Sequence, residues 1–165
     1  MRRTAFVVLL AACSARTSGP VPAARADFID ATGKAVGAAT LHPSGEGVRV
    51  DVRVELPGRG ARGFHVHQVG KCEPPFQSAG GHYNPGARKH GTLNPEGAHA
   101  GDMANLPEGW TNKNMVQTTI SGATLEQLLD ADGSALVIHA DPDDYRTDPS
   151  GNSGARIACG VIRKT

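Results

Sequence analysis

The sequence predicts an all-β domain, an antiparallel sandwich or barrel. Three observations point to it. Val48, Val50, Val52 and Val54 alternate with Arg49, Asp51 and Arg53, the period-two pattern of a strand with one buried and one wet face. The segments 35–42, 63–69, 115–120, 135–140 and 156–163 are short and rich in β-branched or small apolar residues, and Gly, Pro, Asn or Asp punctuate most of the gaps. No long stretch has helical periodicity; residues 123–130 suit one or two turns and nothing longer. Several short strands in a chain of 165 residues fit one domain with a core of its own.

Taken from its start, the chain opens with an export signal. Arg2 and Arg3 precede an apolar run from Ala5 to Ala12, which is too short to span a bilayer as a helix. The run ends in Leu10-Ala11-Ala12-Cys13. That tetrapeptide resembles the lipobox of bacterial lipoprotein signals, in which the cysteine is lipidated and becomes the mature N-terminus. The alternative is an ordinary secretory signal cut near Ala24-Arg25-Ala26. Residues 14–26 are small, Pro-containing and without periodicity, the composition of a flexible tether. The expected organisation is therefore a lipoprotein-type signal over 1–12, a tether over 13–26 and a folded domain over 27–165, exported to the periplasm or cell surface and attached to a membrane through Cys13.

The formal net charge is +1 and no basic stripe runs along any segment, so nucleic acid is excluded as a partner. No helix or heptad specifies an oligomeric state. There are three cysteines. With Cys13 lipidated, Cys72 and Cys159 remain, and in an exported chain a disulfide between them is expected in preference to two free thiols. It would close a loop of about 90 residues, worth about 4–5 kcal/mol in the chain-entropy treatment.

Two long gaps, 71–100 and 141–154, hold little that looks like a strand. Loops of that length in a compact domain are usually functional, and something other than an apolar core must organise them. Seven histidines are present, and six of them suggest what does. His65 and His67 are two apart on an expected strand, so both rings leave the same face while Phe64 and Val66 point into the core. His139 ends the apolar strand Ala135-Leu136-Val137-Ile138 and can supply a third ligand. His82, His90 and His99, with Asp102, can gather round a second ion, since three imidazoles and one carboxylate meet the count of a closed zinc site. His42 precedes Pro43 with no partner near it in sequence and reads as a surface residue.

The segments GFHVHQVGKC (63–72), SAGGHYNP (78–85), KHG (89–91), EGAHAGDMANL (96–106), ALVIHA (135–140) and GNSGARIACGVI (151–162) resemble, in order, the metal and cysteine motifs of the copper-zinc superoxide dismutases. The resemblance implies an eight-stranded Greek-key β-barrel or sandwich with two long functional loops. It implies copper on His65, His67, His82 and His139, and zinc on His82, His90, His99 and Asp102, with His82 shared as a bridge. It implies a Cys72–Cys159 disulfide. Asp143 would accept hydrogen bonds from His65 and His90, one ligand of each metal. His82 would act as a proton donor and Arg156 would attract the superoxide anion, which is disproportionated to dioxygen and hydrogen peroxide. The second loop is shorter than in the familiar eukaryotic enzymes, so no steering charge carries over onto Asp141, Asp144, Arg146 or Asp148. Two other readings stand beside this one. A non-catalytic exported copper- and zinc-binding protein needs neither His139 nor Arg156. A purely structural zinc module leaves His65, His67 and His139 without a use.

Overall fold

A computed structural model describes residues 23–58, 60–110 and 114–165. It contains β1 (Ala24–Asp30), β2 (Ala35–Ser44), β3 (Gly47–Val54), β4 (Phe64–His67), β5 (Val116–Ile120), α1 (Leu125–Leu128), β6 (Ala135–His139) and β7 (Arg156–Lys164). The seven strands form one sheet in the order β4-β6-β7-β1-β2-β3-β5, and every neighbouring pair is antiparallel. β1, β2 and β3 follow one another as hairpins. The chain then crosses to the far end of the sheet for β4 and returns to β3 with β5. The sheet curls until its two ends share one core. Phe28 of β1, Leu41 of β2, Val50 of β3, Phe64 of β4 and Ile120 of β5 are fully buried in a single cluster.

Period-two burial sets these registers. Val48, Val50, Val52 and Val54 face inward along β3, and each β-branched side chain fits a pleated, half-buried surface. Ala24, Ala26 and Phe28 do the same on β1 while Arg25 and Asp27 face out. The first strand thus takes residues 24–26 from the expected tether. Two of its three inward residues are alanines, weak strand formers, so its alternation does not announce a strand in the sequence. The short helix is stopped and started locally. Thr124 Oγ1 accepts from Gln127 N–H and Gln127 Oε1 accepts from Thr124 N–H, a capping box. The expected signal and Cys13 lie outside the described residues. Among the described residues no helix is long and apolar enough to cross a membrane.

Among the described residues seven strands stand where the resemblance implied eight. The free side of β4 meets loop backbone in isolated bridges, Arg62 with Leu106, His65 with Asp102 and His67 with His82. Each contact is single: Asp102 and His82 aim their side chains at the histidines and Leu106 turns into the core, so no ladder develops. Even so, Val66 N–H donates to Gly101 O and Tyr83 N–H to Val66 O, and this covers an edge that would otherwise invite pairing with another chain.

β4 and β6 bury every residue, so both of their faces are covered. Part of the outer cover is the segment around Phe76 and Ala79, packed on Ala135, Val137 and Cys159. A disulfide joins Cys72 to Cys159, with Cα atoms 5.6 Å apart. It ties the start of the first long loop, which begins at Gln68, to β7.

Candidate metal centre

The site is assembled where β4 and β6 present their outward residues to the two long loops. His65 and His67 leave the same face of β4, opposite to Phe64 and Val66, which lie in the main core. His139, the last residue of β6, pairs with Arg156 at the start of β7. His82 reaches β4 through its bridge with His67. The ligating atoms of His65, His67, His82 and His139 lie within 4.8 Å of one another, and those of His82, His90, His99 and Asp102 form a second such group. His82 belongs to both.

Hydrogen bonds fix which nitrogen of each ring faces the centre. His67 Nδ1 lies 2.9 Å from Gly80 O, and His139 Nδ1 lies 3.3 Å from Gly154 O. A carbonyl only accepts, so both Nδ1 atoms carry the hydrogen and both Nε2 atoms are bare. His65 does the reverse. Its Nε2 lies 2.8 Å from Asp143 Oδ2, and Asp143 is held below the usual carboxylate range: burial opposes ionisation, but hydrogen bonds from His65 and His90 outweigh it. His65 Nε2 therefore donates and Nδ1 is bare. The bare atoms His65 Nδ1, His67 Nε2, His82 Nε2 and His139 Nε2 are all buried and all lack a partner. A fifth such atom, His42 Nδ1, belongs to neither ligand group.

The second group is organised by Asp102. Its Oδ1 stands 2.9 Å from His82 Nδ1, 3.1 Å from His90 Nδ1 and 3.3 Å from His99 Nδ1. Its Oδ2 accepts the backbone N–H groups of Gly91 and His99 at 2.9 and 3.0 Å. One oxygen is thus anchored by backbone and the other is aimed at three rings. Burial tends to raise the pKa of Asp102, but hydrogen bonds from His82, His90 and Gly91 hold it well below the usual range.

Electrostatics favour the ligand form of these rings. Burial lowers the pKa of His65 and, more strongly, of His67. It takes His82 to about 4 and His139 to about 3, so these rings are neutral at ordinary pH, as metal ligation requires. His90 goes the other way. Burial lowers its pKa, yet Asp102 and Asp143 on either side outweigh that and raise it to about 9.

Every residue expected at the site is brought to it. Asp143 contacts His65 and His90 at 2.8 and 3.0 Å. Arg156 donates from Nη1 to Phe76 O and from Nη2 to Gly80 O, both at 2.7 Å, and burial lowers its pKa. Its charge disfavours protonation of His67 and His139. His42 departs from the surface position expected of it. It is 8% exposed, with Nε2 3.3 Å from Thr40 Oγ1 and 3.5 Å from Asp51 Oδ2: Thr40, two residues earlier, is a near partner after all, and Asp51 on the facing strand β3 is one that only the sheet pairing brings close. Asp148, left among unaligned loop charges in the sequence, accepts His90 N–H at 2.7 Å. Gly151, at φ +63°, lies so close to Asp143 Oδ1 and His90 Nε2 that any β-carbon would collide with them. Neither residue carries a signal of this role in the sequence, because both roles depend on how the second loop folds over the first.

An all-β scaffold with two adjoining buried ligand sets that share one imidazole defines a dinuclear metalloprotein. The copper/zinc superoxide dismutase family profile matches residues 35–162. Superoxide dismutase [Cu-Zn] 1 of Aquifex aeolicus is 45% identical over 145 residues, 84% of this chain and 86% of that protein. Superoxide dismutase [Cu-Zn] of Deinococcus radiodurans is 37% identical over 155 residues, 86% of this chain and 85% of that protein. Among solved structures, a mutant of a SOD-like protein from Bacillus subtilis superposes with a TM-score of 0.76 at 40% identity, covering 83% of this chain and 95% of that one. The chain belongs to the copper/zinc superoxide dismutase family. It is a superoxide dismutase with copper and zinc as its cofactors, and its disulfide fits an exported protein.

Proposed function

We propose that His65 Nδ1 and the Nε2 atoms of His67, His82 and His139 hold copper, and that Asp102 Oδ1 with the Nδ1 atoms of His82, His90 and His99 holds zinc. One observation carries this reading: four buried ring nitrogens converge without a partner. Such groups cost free energy unless something fills the space between them, and an all-nitrogen set suits copper while three imidazoles and a carboxylate suit zinc. Bound copper supplies the one-electron cycle by which one superoxide is oxidised to dioxygen and a second, with two protons, is reduced to hydrogen peroxide.

The chain's own residues do the rest. His82 would serve both ions, Nδ1 on the zinc side and Nε2 on the copper side, and while Nε2 is not ligating copper it would be the atom that holds a proton for delivery to the departing product. Arg156 attracts and orients the anion. Two of its donors are committed to Phe76 O and Gly80 O, which aims the remaining face of a rigid, permanently charged fork. Asp143 fixes the tautomer and orientation of one ring in each set. A storage protein would gain nothing from a permanent cation beside a cation site, so Arg156 favours turnover over storage.

The decisive experiment is metal analysis and dismutase assay of His139→Ala. Copper and activity should be lost while zinc and the circular dichroism of the sheet remain. Full activity would overturn the copper assignment.

We also infer a lipid anchor on Cys13 in the periplasm or at the cell surface, from the lipobox-like Leu10-Ala11-Ala12-Cys13. The competing cut after Ala26 would remove the first three residues of β1, whose Ala24 and Ala26 are fully buried. Two or more acyl chains give stable attachment. Mass spectrometry should find an acylated mature N-terminus at Cys13, and an unmodified start near Asp27 would rule the anchor out.

A further inference from the structure

Asp143 touches one ring of each ligand set, so its placement bears on both metals at once. Its own placement comes from the first loop. Asp143 N–H donates to Asn105 Oδ1 at 2.9 Å, and Asn105 Nδ2 donates to Asp143 O at 3.0 Å. This is the reciprocal pairing of a sheet ladder, made by a side-chain amide across 38 residues of sequence. Asn105 is fixed in turn. Its neighbour Leu106 is buried in the main core, and its backbone N–H donates to Tyr145 Oη at 2.9 Å. Tyr145 closes the ring of contacts, because its N–H donates to Asp143 Oδ1. Tyr145 sits at φ 62°, a left-handed conformation that a bulky residue rarely adopts. Its hydroxyl and amide bonds hold it there.

We propose that Asn105, braced by Tyr145, is a positioning residue for both metals: it sets Asp143, and through Asp143 the orientation of His65 and His90. The amide of Asn105 can supply one donor and one acceptor side by side, which is what the backbone of Asp143 requires. Asn105 acts through Asp143 and ligates neither ion. The inference rests on the ligand assignment proposed above.

The test uses the full chain loaded with copper and zinc. Zinc affinity is measured by chelator competition, copper geometry by the Cu(II) paramagnetic resonance spectrum, and thermal unfolding is followed with and without metals. Asp143→Ala, Asn105→Ala, Tyr145→Phe and the double variant Asn105→Ala/Asp143→Ala are compared. Partners that orient ligands typically contribute about 10- to 100-fold to metal affinity. Asn105→Ala should weaken zinc by about 10-fold and alter the Cu(II) spectrum, while the melting temperature of metal-free protein changes little. Tyr145→Phe should move both readings the same way by a few-fold. The double variant should bind zinc no more weakly than Asp143→Ala, since residues acting through one another are not additive.

An additive loss in the double variant overturns the proposal. So does an Asn105→Ala protein with unchanged affinity and spectrum, whatever its melting temperature. Should Asn105→Ala fail to fold, Tyr145→Phe decides, because it removes a single hydroxyl; wild-type affinity and spectrum there would also overturn it. Unchanged zinc and copper readings in Asp143→Ala would instead sink the orienting role of Asp143, and that of Asn105 with it, whereas full activity in His139→Ala would overturn the copper assignment on which both rest.

Discussion

Phe64 and His65 are neighbours on β4, and both are fully buried, yet they belong to regions built by different means. Phe64 faces the inside of the curled sheet, 6.3 Å from the ring of Phe28 between centroids, in a cluster that is almost wholly aliphatic and aromatic. His65 faces the loops. There its neighbours are other imidazoles, the ring of His82 at 4.0 Å between centroids among them, and the carboxylate of Asp143. The first environment is stabilised by removing apolar area from water and needs no particular geometry beyond close packing. The second places polar groups out of water, which stabilises nothing unless each finds its partner. One strand thus has a face that packs unaided and a face completed only by loops and ions.

The contrast can be broken from its strong side first. Phe64→Ala should cost about 3–5 kcal/mol by denaturant unfolding, in metal-loaded and metal-free protein alike, because no ligand shares its cluster. A cost that vanishes on metal removal would mean that core and site are one cooperative unit. Cys159→Ser acts on the tie between the regions. It should cost about 2–4 kcal/mol, and hydrogen exchange should quicken in the first loop more than in β1, β2 or β3. Equal quickening throughout would assign the bridge to the sheet.

Gly151→Ala sharpens the comparison from the loop side. The added carbon would meet Asp143 Oδ1 and His90 Nε2, and at φ +63° the backbone is itself unfavourable for alanine. We expect a loss of about 1–3 kcal/mol with or without metal, its effects local to the second loop, and zinc content reduced; an undisturbed zinc content would show that the loop has room to relax. Arg156 should give the smallest effect on stability, about 1 kcal/mol for Arg156→Lys, which loses at least one of the hydrogen bonds to Phe76 O and Gly80 O. Its larger signature is kinetic. Rates by pulse radiolysis should fall from wild type to Arg156→Lys to Arg156→Glu, with the gap between the extremes narrowing as salt screens the field. Equal rates for wild type and Arg156→Glu at low salt would remove Arg156 from substrate guidance.

Much of the barrel was legible along the chain. The valines of β3 and the apolar runs of β6 and β7 declare their faces because strand period is a local property, and all of the segments marked as strands became strands. β1 escaped because Ala24 and Ala26 bury too little to mark an inward face in sequence; only pairing with Leu41 and Ile162 makes it a strand. The residues that gather at the centre were also legible, since His65 and His67 on one strand face, and His90, His99 and Asp102 in one loop, are unusual for any purpose but metal.

What the sequence by itself determined, then, is the set of strands with a strong inward face and the identity of the groups that meet at the centre. Which nitrogen of each ring is free was settled only by the tertiary structure, through Gly80 O for His67, Gly154 O for His139 and Asp143 for His65. So were the burial of His42, the grip of Asn105 on Asp143, and the replacement of an eighth strand by single bridges along β4. The physical reason is common to all of them. Side-chain periodicity is written into the backbone of each element, whereas a hydrogen bond between residues dozens of positions apart exists only when two loops have been brought to the same place, and nothing in either loop alone states where the other will lie.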